Sequence, residues 1–220
     1  MATDISTARL RLRTWRPADR EPFAALNADA QVMEYFPAPL SRRESDAFVE
    51  RIEAKFQERG FGLWAVEAPG VAPFVGFIGL SVPSFDTPFT PCVEIGWRLA
   101  RAYWNQGLAT EGAAAVLRHA FGALHLSEVV SFTAAGNLRS RRVMEKLGMH
   151  RDAADDFEHP LLPAEHPLRR HVLYRISNPA LPNRALEPTL PDGDIVAPRG
   201  SGAALRPGIG LGRNRQRTGD

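Results

Sequence analysis

Residues 103–112 of the 220-residue chain read "YWNQGLATEG", and they follow "CVEIGWRLA" (92–100), which has the look of a strand. A loop with one central glycine, Gly107, thus leaves a strand and opens an alanine-rich helix. The first amides of a helix have no acceptor within it, and its dipole is positive at that end, so such a junction is suited to holding an anion. Further on, "NLRSRRVMEKLG" (137–148) starts a second helix, with Asn137 placed to cap it and Ser140 one turn in. In the preceding strand, Glu94 stands between Val93 and Ile95 and so projects to the face opposite those two apolar side chains.

The loop alone leaves its ligand open. It is not a phosphate-binding P-loop, because Leu108 and Ala109 follow Gly107 where that motif needs Lys and Ser or Thr. Nor is it a dinucleotide fingerprint, since the second and third glycines are missing. A plain strand-to-helix turn fits the loop by itself equally well.

These residues need a scaffold, and the rest of the chain supplies one. "TARLRLRTW" (7–15) alternates Leu10 and Leu12 with arginines, which predicts a half-buried strand. Pro17 can open a helix that turns Phe23 and Leu26 to one face. After Pro37 and Pro39, Ser41 precedes a segment in which Phe48, Ile52 and Phe56 recur every four residues before Gly60. Strands are expected at 61–68, 74–82 and 92–100, with short Gly- and Pro-containing connections that suggest an antiparallel meander. A helix over about 107–123, with a stripe of Val116, Leu117, Ala120, Phe121 and Leu124, comes next. A strand at 127–134, the helix at 137–148 and a last strand at 171–177 complete a single mixed α/β layer structure over residues 1–177.

Composition limits the function classes. The chain is 44% hydrophobic and 24% charged, ordinary for a soluble globular protein, and has no apolar run of spanning length and no signal-peptide core. Its single cysteine, Cys92, rules out an intrachain disulfide, suits the cytoplasm and reads as a small core residue. Six arginines and four acids lie after residue 177, leaving 21 of each sign in the body, which argues against a nucleic-acid binder. Residues 178–220 carry 6 prolines and 7 glycines without Phe, Tyr or Trp, so they are expected to be a disordered tail. The six histidines include no helical pair at i, i+4 and no accompanying cysteine pair. They are therefore read as solvated loop residues, and no metal is expected.

Taken together, "VEIGWRLARAYWNQGLATEGAAAVLRHAF" and "NLRSRRVMEKLGM" resemble the GNAT superfamily of acetyl-CoA-dependent N-acetyltransferases, in particular the branch that acetylates amino termini, including those of ribosomal proteins. The resemblance covers roughly residues 7–177. It implies a central, largely antiparallel sheet in which strands 92–100 and 127–134 splay apart, with pantetheine between them and flanking helices. The family's Q/R-x-x-G-x-G/A loop, which binds the CoA pyrophosphate through main-chain amides, aligns with Trp104, Asn105, Gln106, Gly107, Leu108 and Ala109. Trp104 replaces the usual Gln or Arg, and Asn105 stands where glycine is common. Thr110, Asn137 and Arg142 join residues 105–109 as the expected CoA contacts.

Acetyl transfer requires a neutral amine. At pH 7 an amine of pKa about 10.4 is less than one part in a thousand neutral, whereas an α-amine near 8 is about a tenth neutral. A proton acceptor, an oxyanion donor and a source of a proton for the thiolate are then needed, with no metal. The resemblance makes Glu94 the candidate base and Ser140 the group facing the leaving sulfur. Many members place a tyrosine four residues after that serine; here Met144 stands there and cannot donate a proton. Asp156, Glu158 and His159 are placed at the edge of an acceptor site framed by "MEYFPAPLSRRES" and the 155–170 loop. Tyr103 is read as packing; Arg98, Arg101, Arg139, Arg141 and Arg142 surround both motifs and are read one by one as solvated surface, with Arg139 and Arg142 the better placed toward CoA phosphate near a helix start. The acceptor is a small-molecule amine or a protein or peptide amino group, with no nucleic-acid or membrane partner, and a homodimer remains open. The rival from another class is a noncatalytic acyl-CoA-binding module using the same cleft.

Overall fold

The computed structural model describes residues 4–180; the expected tail, from 181 onward, lies outside the described residues. Asn178, assigned to that tail, is buried, and its side chain donates to the carbonyl of Leu126 at 3.1 Å. An eight-stranded sheet runs in the order β1-β2-β3-β4-β5-β6-β8-β7. Its strands are β1 (Ile5–Ser6), β2 (Arg11–Arg13), β3 (Leu63–Ala68), β4 (Ala72–Ser81), β5 (Glu94–Leu99), β6 (Glu128–Ala134), β7 (Phe157–Glu158) and β8 (Arg170–Ser177). All neighbours are antiparallel except β5 and β6. The meander expected from the short connections is β3-β4-β5.

Helices cover both faces. α1 (Arg20–Ala28) and α2 (Arg42–Arg59) send Phe23, Leu26, Val49 and Ile52 onto Ala65, Phe74 and Phe77. α3 (Leu108–Gly122) and α4 (Leu138–Lys146) cover the other face, where Val116, Ala120 and Met144 meet Trp64, Val66, Ile78, Ile95 and Val129. Strand alternation explains the division: Trp64 and Val66 go to one layer and Ala65 to the other. Helix α2 starts and stops as its sequence requires. Ser41 and Glu44 form a reciprocal cap, and Gly60 adopts φ 73°, a left-handed conformation that costs glycine little.

Two sequence expectations are corrected. The single strand at 7–15 is instead β1, a turn, and β2. The amides of Leu10 and Arg9, which a strand would commit to a ladder, are taken by the Thr7 hydroxyl at 2.9 Å and the Glu111 carboxylate at 2.9 Å. Arg13 breaks the apolar/polar alternation as well, being 2% exposed yet bonded to Asp19 at 2.7 Å and Glu67 at 2.9 Å. The second is β7, a two-residue strand paired with β8 inside what reads as loop. Among the described residues no helix is long and apolar enough to cross a membrane.

Candidate active site

Strand β5 pairs with β4 from Ser81↔Glu94 to Gly76↔Leu99, and β6 pairs with β8 from Glu128↔Ser177 to Ala134↔His171. Between themselves β5 and β6 meet in register only at Glu94↔Val130, where the Val130 amide donates to the Val93 carbonyl at 2.9 Å. Beyond that point they diverge. Main-chain groups alternate sides along a strand, so those of Trp97, beyond that pairing, point as Val93 does, into the gap, and need a partner from elsewhere. A cleft of about 770 Å³ opens there, walled by β5, β6, the loop before α3 and the start of α4.

The loop has the geometry of an anion cradle. Asn105 has φ 58° and Gly107 φ 78°, both left-handed, and Gly107 is the N-cap of α3 with no side-chain cap. Asparagine is among the few non-glycine residues that tolerate this region, which explains how Asn105 serves where glycine is common. The first-turn amides of Leu108, Ala109 and Thr110 are left without helical acceptors at the positive end of a 15-residue helix. Asn105, Gly107, Leu108, Ala109 and Thr110 all line the cleft. Gln106 does not; its side chain turns back to the Ala102 carbonyl at 2.7 Å. Trp104 is held by its indole N–H on the Leu99 carbonyl at 2.7 Å, and Arg139 stacks 4.6 Å above its ring.

Sequence reasoning missed what fixes this loop. Arg9 donates to the Gln106 carbonyl at 3.0 Å and binds Glu111 of α3 at 2.6 Å. Glu111 also accepts from the Thr7 hydroxyl at 2.6 Å. The only signal was a carboxylate in the first turn of a helix, which usually has a purely electrostatic reading.

At the start of α4, Asn137 accepts from the Ser140 amide at 3.2 Å and donates to Thr133 Oγ1 at 2.9 Å. The cap therefore ties the helix to β6 across the end of the gap. Ser140, half-buried, lines the cleft, and among the described residues its hydroxyl has no hydrogen-bond partner. Exposed Arg142 lines the cleft too. Met144, one turn beyond Ser140, is 1% exposed within the core under α3, so it faces away from the chemistry.

Glu94 lies at the point of divergence. Its carboxylate accepts one hydrogen bond, from the Ser81 hydroxyl at 3.1 Å, and has no ion-pair partner among the described residues. Burial pushes its pKa up to about 7, against a smaller lowering by Ser81. A carboxylate that titrates near neutrality, inside a cleft, is suited to accept a proton. Cys92, on the same face just before β5, is no rival: burial first, and then the Glu94 charge, push its thiol up to about 12.

The acceptor-side residues divide. His159 lines the cleft, but Asp156 is bound to Arg151 at 2.5 Å and Glu158 to Arg169 at 3.2 Å, and neither lines it. Tyr35, Phe36 and Pro37 line it from one side and Leu161, Leu162 and Leu168 from another, so both expected framing segments are present. The histidines are not uniformly solvated. His171 is 9% exposed, His119 packs edge-on against Trp64 at 5.7 Å, and His159 is half-buried with its ring 4.9 Å from His171. Burial, followed by the neighbouring His171, lowers His159 to about 4. Nor is Arg98 surface: it is 9% exposed, donates to Asn27 at 2.5 Å, and lies 4.0 Å above the Phe36 ring. Tyr103 packs against the main core, and Arg141 turns inward to the Ala135 carbonyl at 3.0 Å. Arg101 remains exposed on Asp29 at 2.7 Å.

Residues 9–150 match the family model described as an acetyltransferase (GNAT) domain, which is more than half of the chain. The chain belongs to the GNAT acetyltransferase family. It is accordingly an acetyl-CoA-dependent acetyltransferase of mixed α+β fold, as the sequence resemblance implied. Among its GNAT relatives is the FsC-acetyl coenzyme A-N(2)-transacetylase of Aspergillus fumigatus, 34% identical over 152 residues. That alignment takes in 66% of this chain and 64% of the fungal protein, so the chain spans under two thirds of that relative's length. A solved GNAT-family acetyltransferase from Bacillus anthracis superposes with a TM-score of 0.66 at 27% identity, covering 80% of this chain and 99% of that one. The ribosomal L7/L12 α-N-protein acetyltransferase RimL, solved with coenzyme A, shares the fold at a TM-score of 0.65 and 14% identity, over 80% of this chain and 98% of its own.

Proposed function

We propose that this GNAT chain moves the acetyl group of acetyl-CoA directly to a primary amine, with Glu94 as proton acceptor. The carrying observation is a carboxylate with a pKa of about 7 and no cationic partner, at the point where β5 and β6 part. In this reading the pyrophosphate rests on the amides of Asn105, Gly107, Leu108 and Ala109, assisted by Thr110, Asn137 and Arg142. The pantetheine arm satisfies the main chain of Trp97 as an added strand would. The amine nitrogen attacks the thioester carbonyl carbon as Glu94 takes its proton. A main-chain amide of β5 facing the gap meets the developing oxyanion. The C–S bond then breaks, and the thiolate is received by the Ser140 hydroxyl and takes up a proton, so that amide and free CoA leave. Met144 cannot supply that proton, which gives the unpartnered Ser140 hydroxyl its importance. The buried, unreactive thiol is consistent with work in the cytoplasm.

The test is acetyl-CoA affinity beside turnover for Glu94→Gln and Ser140→Ala on one accepted amine. Both variants should bind acetyl-CoA nearly as the parent does and turn over at least tenfold slower. Acetyl-CoA binding by the parent with no turnover on a broad amine panel would instead establish the noncatalytic module.

A further inference from the structure

The cleft has an unusual second wall. Phe132 lies two residues along β6 from Val130, the partner of Glu94, so its side chain projects from the Glu94 face about 7 Å along the strand. Around it stand Phe85, His159 and His171, with ring centroids 5.8, 6.4 and 6.3 Å from that of Phe132, and all four rings line the cleft. Phe89 and Phe157 back them, at 6.1 and 5.6 Å from Phe132. Burial keeps both imidazoles deprotonated at neutral pH, so the wall carries no charge there.

The charges that remain are lopsided. Glu94 is the only acidic side chain among the described residues lining the cleft, whereas Arg98, Arg139, Arg142 and Lys146 line it as cations, Arg139 paired with Glu34 at 2.5 Å and Arg142 on the side given to the pyrophosphate. A polyamine or aminoglycoside brings several ammonium groups that need several carboxylates, and here a single carboxylate, that of Glu94, lines the cleft among the described residues. A single amine carried on a flat apolar body needs one carboxylate and an uncharged aromatic surface. Both are present on one face of the sheet.

We infer that the acceptor is a small monoamine with an aromatic body, whose ring packs among Phe85, Phe132, His159 and His171 while its amine is directed to Glu94. This rests on the acetyl-transfer reading of the same cleft. Ring-on-ring packing in an enclosed site favours such a ligand both by area removed from water and by the offset and edge-on geometries available to it.

The experiment compares kcat/KM for 2-phenylethylamine, ethanolamine, spermidine and kanamycin with acetyl-CoA, read by thiol release. The expected result is a preference for 2-phenylethylamine of at least tenfold over each of the others. Phe85→Ala should raise its KM at least fivefold with little change in kcat or in acetyl-CoA affinity, and Phe85→Leu should recover part of the loss. A purely structural role for Phe85 would instead lower kcat and stability for every substrate alike, which contradicts the inference. Faster turnover of spermidine or kanamycin, or equal use of ethanolamine, overturns the aromatic acceptor while leaving acetyl transfer standing. If acetyl-CoA binds and none of the four amines, nor any of a wider panel, reacts, the acetyl-transfer reading fails and this inference with it.

Discussion

Arg9, in the turn between β1 and β2, holds Glu111 in the first turn of α3 at 2.6 Å and so fastens the amino-terminal hairpin to the anion-binding loop. The same guanidinium reaches the Gln106 carbonyl at 3.0 Å. Burial alone would raise the Glu111 pKa, but hydrogen bonds from Thr7 and Arg9 outweigh it and hold the group below the usual range. A depressed carboxylate contributes its stabilisation above the unfolded pKa and loses it as pH falls through the folded value. Glu111→Ala should therefore weaken acetyl-CoA binding about three- to tenfold at pH 7, with the secondary structure intact. The difference from the parent should persist through mildly acidic pH and shrink only at a pH below the usual carboxylate range, as the depressed folded pKa is passed. Calorimetric titration at pH 7 and at such a lower pH checks it; equal affinity of parent and variant at pH 7 would show that the loop holds its shape unaided.

The second prediction concerns Gly107. A Cβ there would meet only Arg9, at 3.6 Å, so space is available, but φ 78° is costly for any residue with a branched side chain. Gly107→Val should either distort the loop or carry a side chain into the anion's approach. Acetyl-CoA affinity should fall at least tenfold, about 1.4 kcal/mol, with an unchanged circular dichroism spectrum. Affinity equal to the parent's would remove the loop from the binding site.

Arg13 and Asp19 form a buried pair, 2% and 4% exposed at their side chains, and Arg13 also donates to the Pro73 carbonyl at 2.6 Å. Removing Asp19 leaves the Arg13 guanidinium buried with Glu67, at 2.9 Å on its Nε side, as its one remaining carboxylate among the described residues. Asp19→Asn is thus expected to lose about 3–5 kcal/mol, well beyond the value of an exposed pair. Urea unfolding measures it, and a loss below about 1 kcal/mol would mean that water or Glu67 replaces the lost partner.

Much of this fold could be read from the residues because its elements carry their own boundaries. Ser41 with Glu44, Gly60, Asn137 and the stripe through Val116 and Ala120 are local signals, and the helices start and stop where those signals stand. Glu94 could be placed on the face opposite Val93 and Ile95 from strand alternation alone. What the sequence did not reveal depends on contacts between distant residues. Thr7 and Glu111 interrupt a strand because they meet across the fold, and Arg13 is buried because Asp19 and Glu67 converge on it. His171 and Arg98 read as polar and therefore solvated; tertiary packing gave one an aromatic wall and the other the ring of Phe36. The two-residue β7 has too little periodicity to signal itself.

Stability should bear the cost of the raised Glu94 pKa. A carboxyl whose folded pKa lies above its unfolded value stabilises the fold most at pH below the unfolded value, and that contribution is lost as pH rises through about 7. Glu94→Gln should accordingly melt higher than the parent at pH 8, by roughly 1–3 kcal/mol of stability, with a smaller difference at pH 5. Identical melting curves at both pH values would mean that Glu94 is solvated enough to titrate normally.

The pH dependence of turnover in Glu94→Gln, set beside the parent on one accepted amine, tests proton acceptance by Glu94 most directly. In the parent, kcat should rise with pH through an inflection near 7, where Glu94 loses its proton. In the variant that inflection should vanish and turnover at pH 7 should fall by about two to four orders of magnitude, the scale of general-base catalysis. Part of the activity should return at high pH, where more of the amine is already neutral, while acetyl-CoA affinity stays close to the parent's. A variant that keeps the inflection near 7, or loses less than tenfold in turnover, would contradict the assignment of Glu94 as the base.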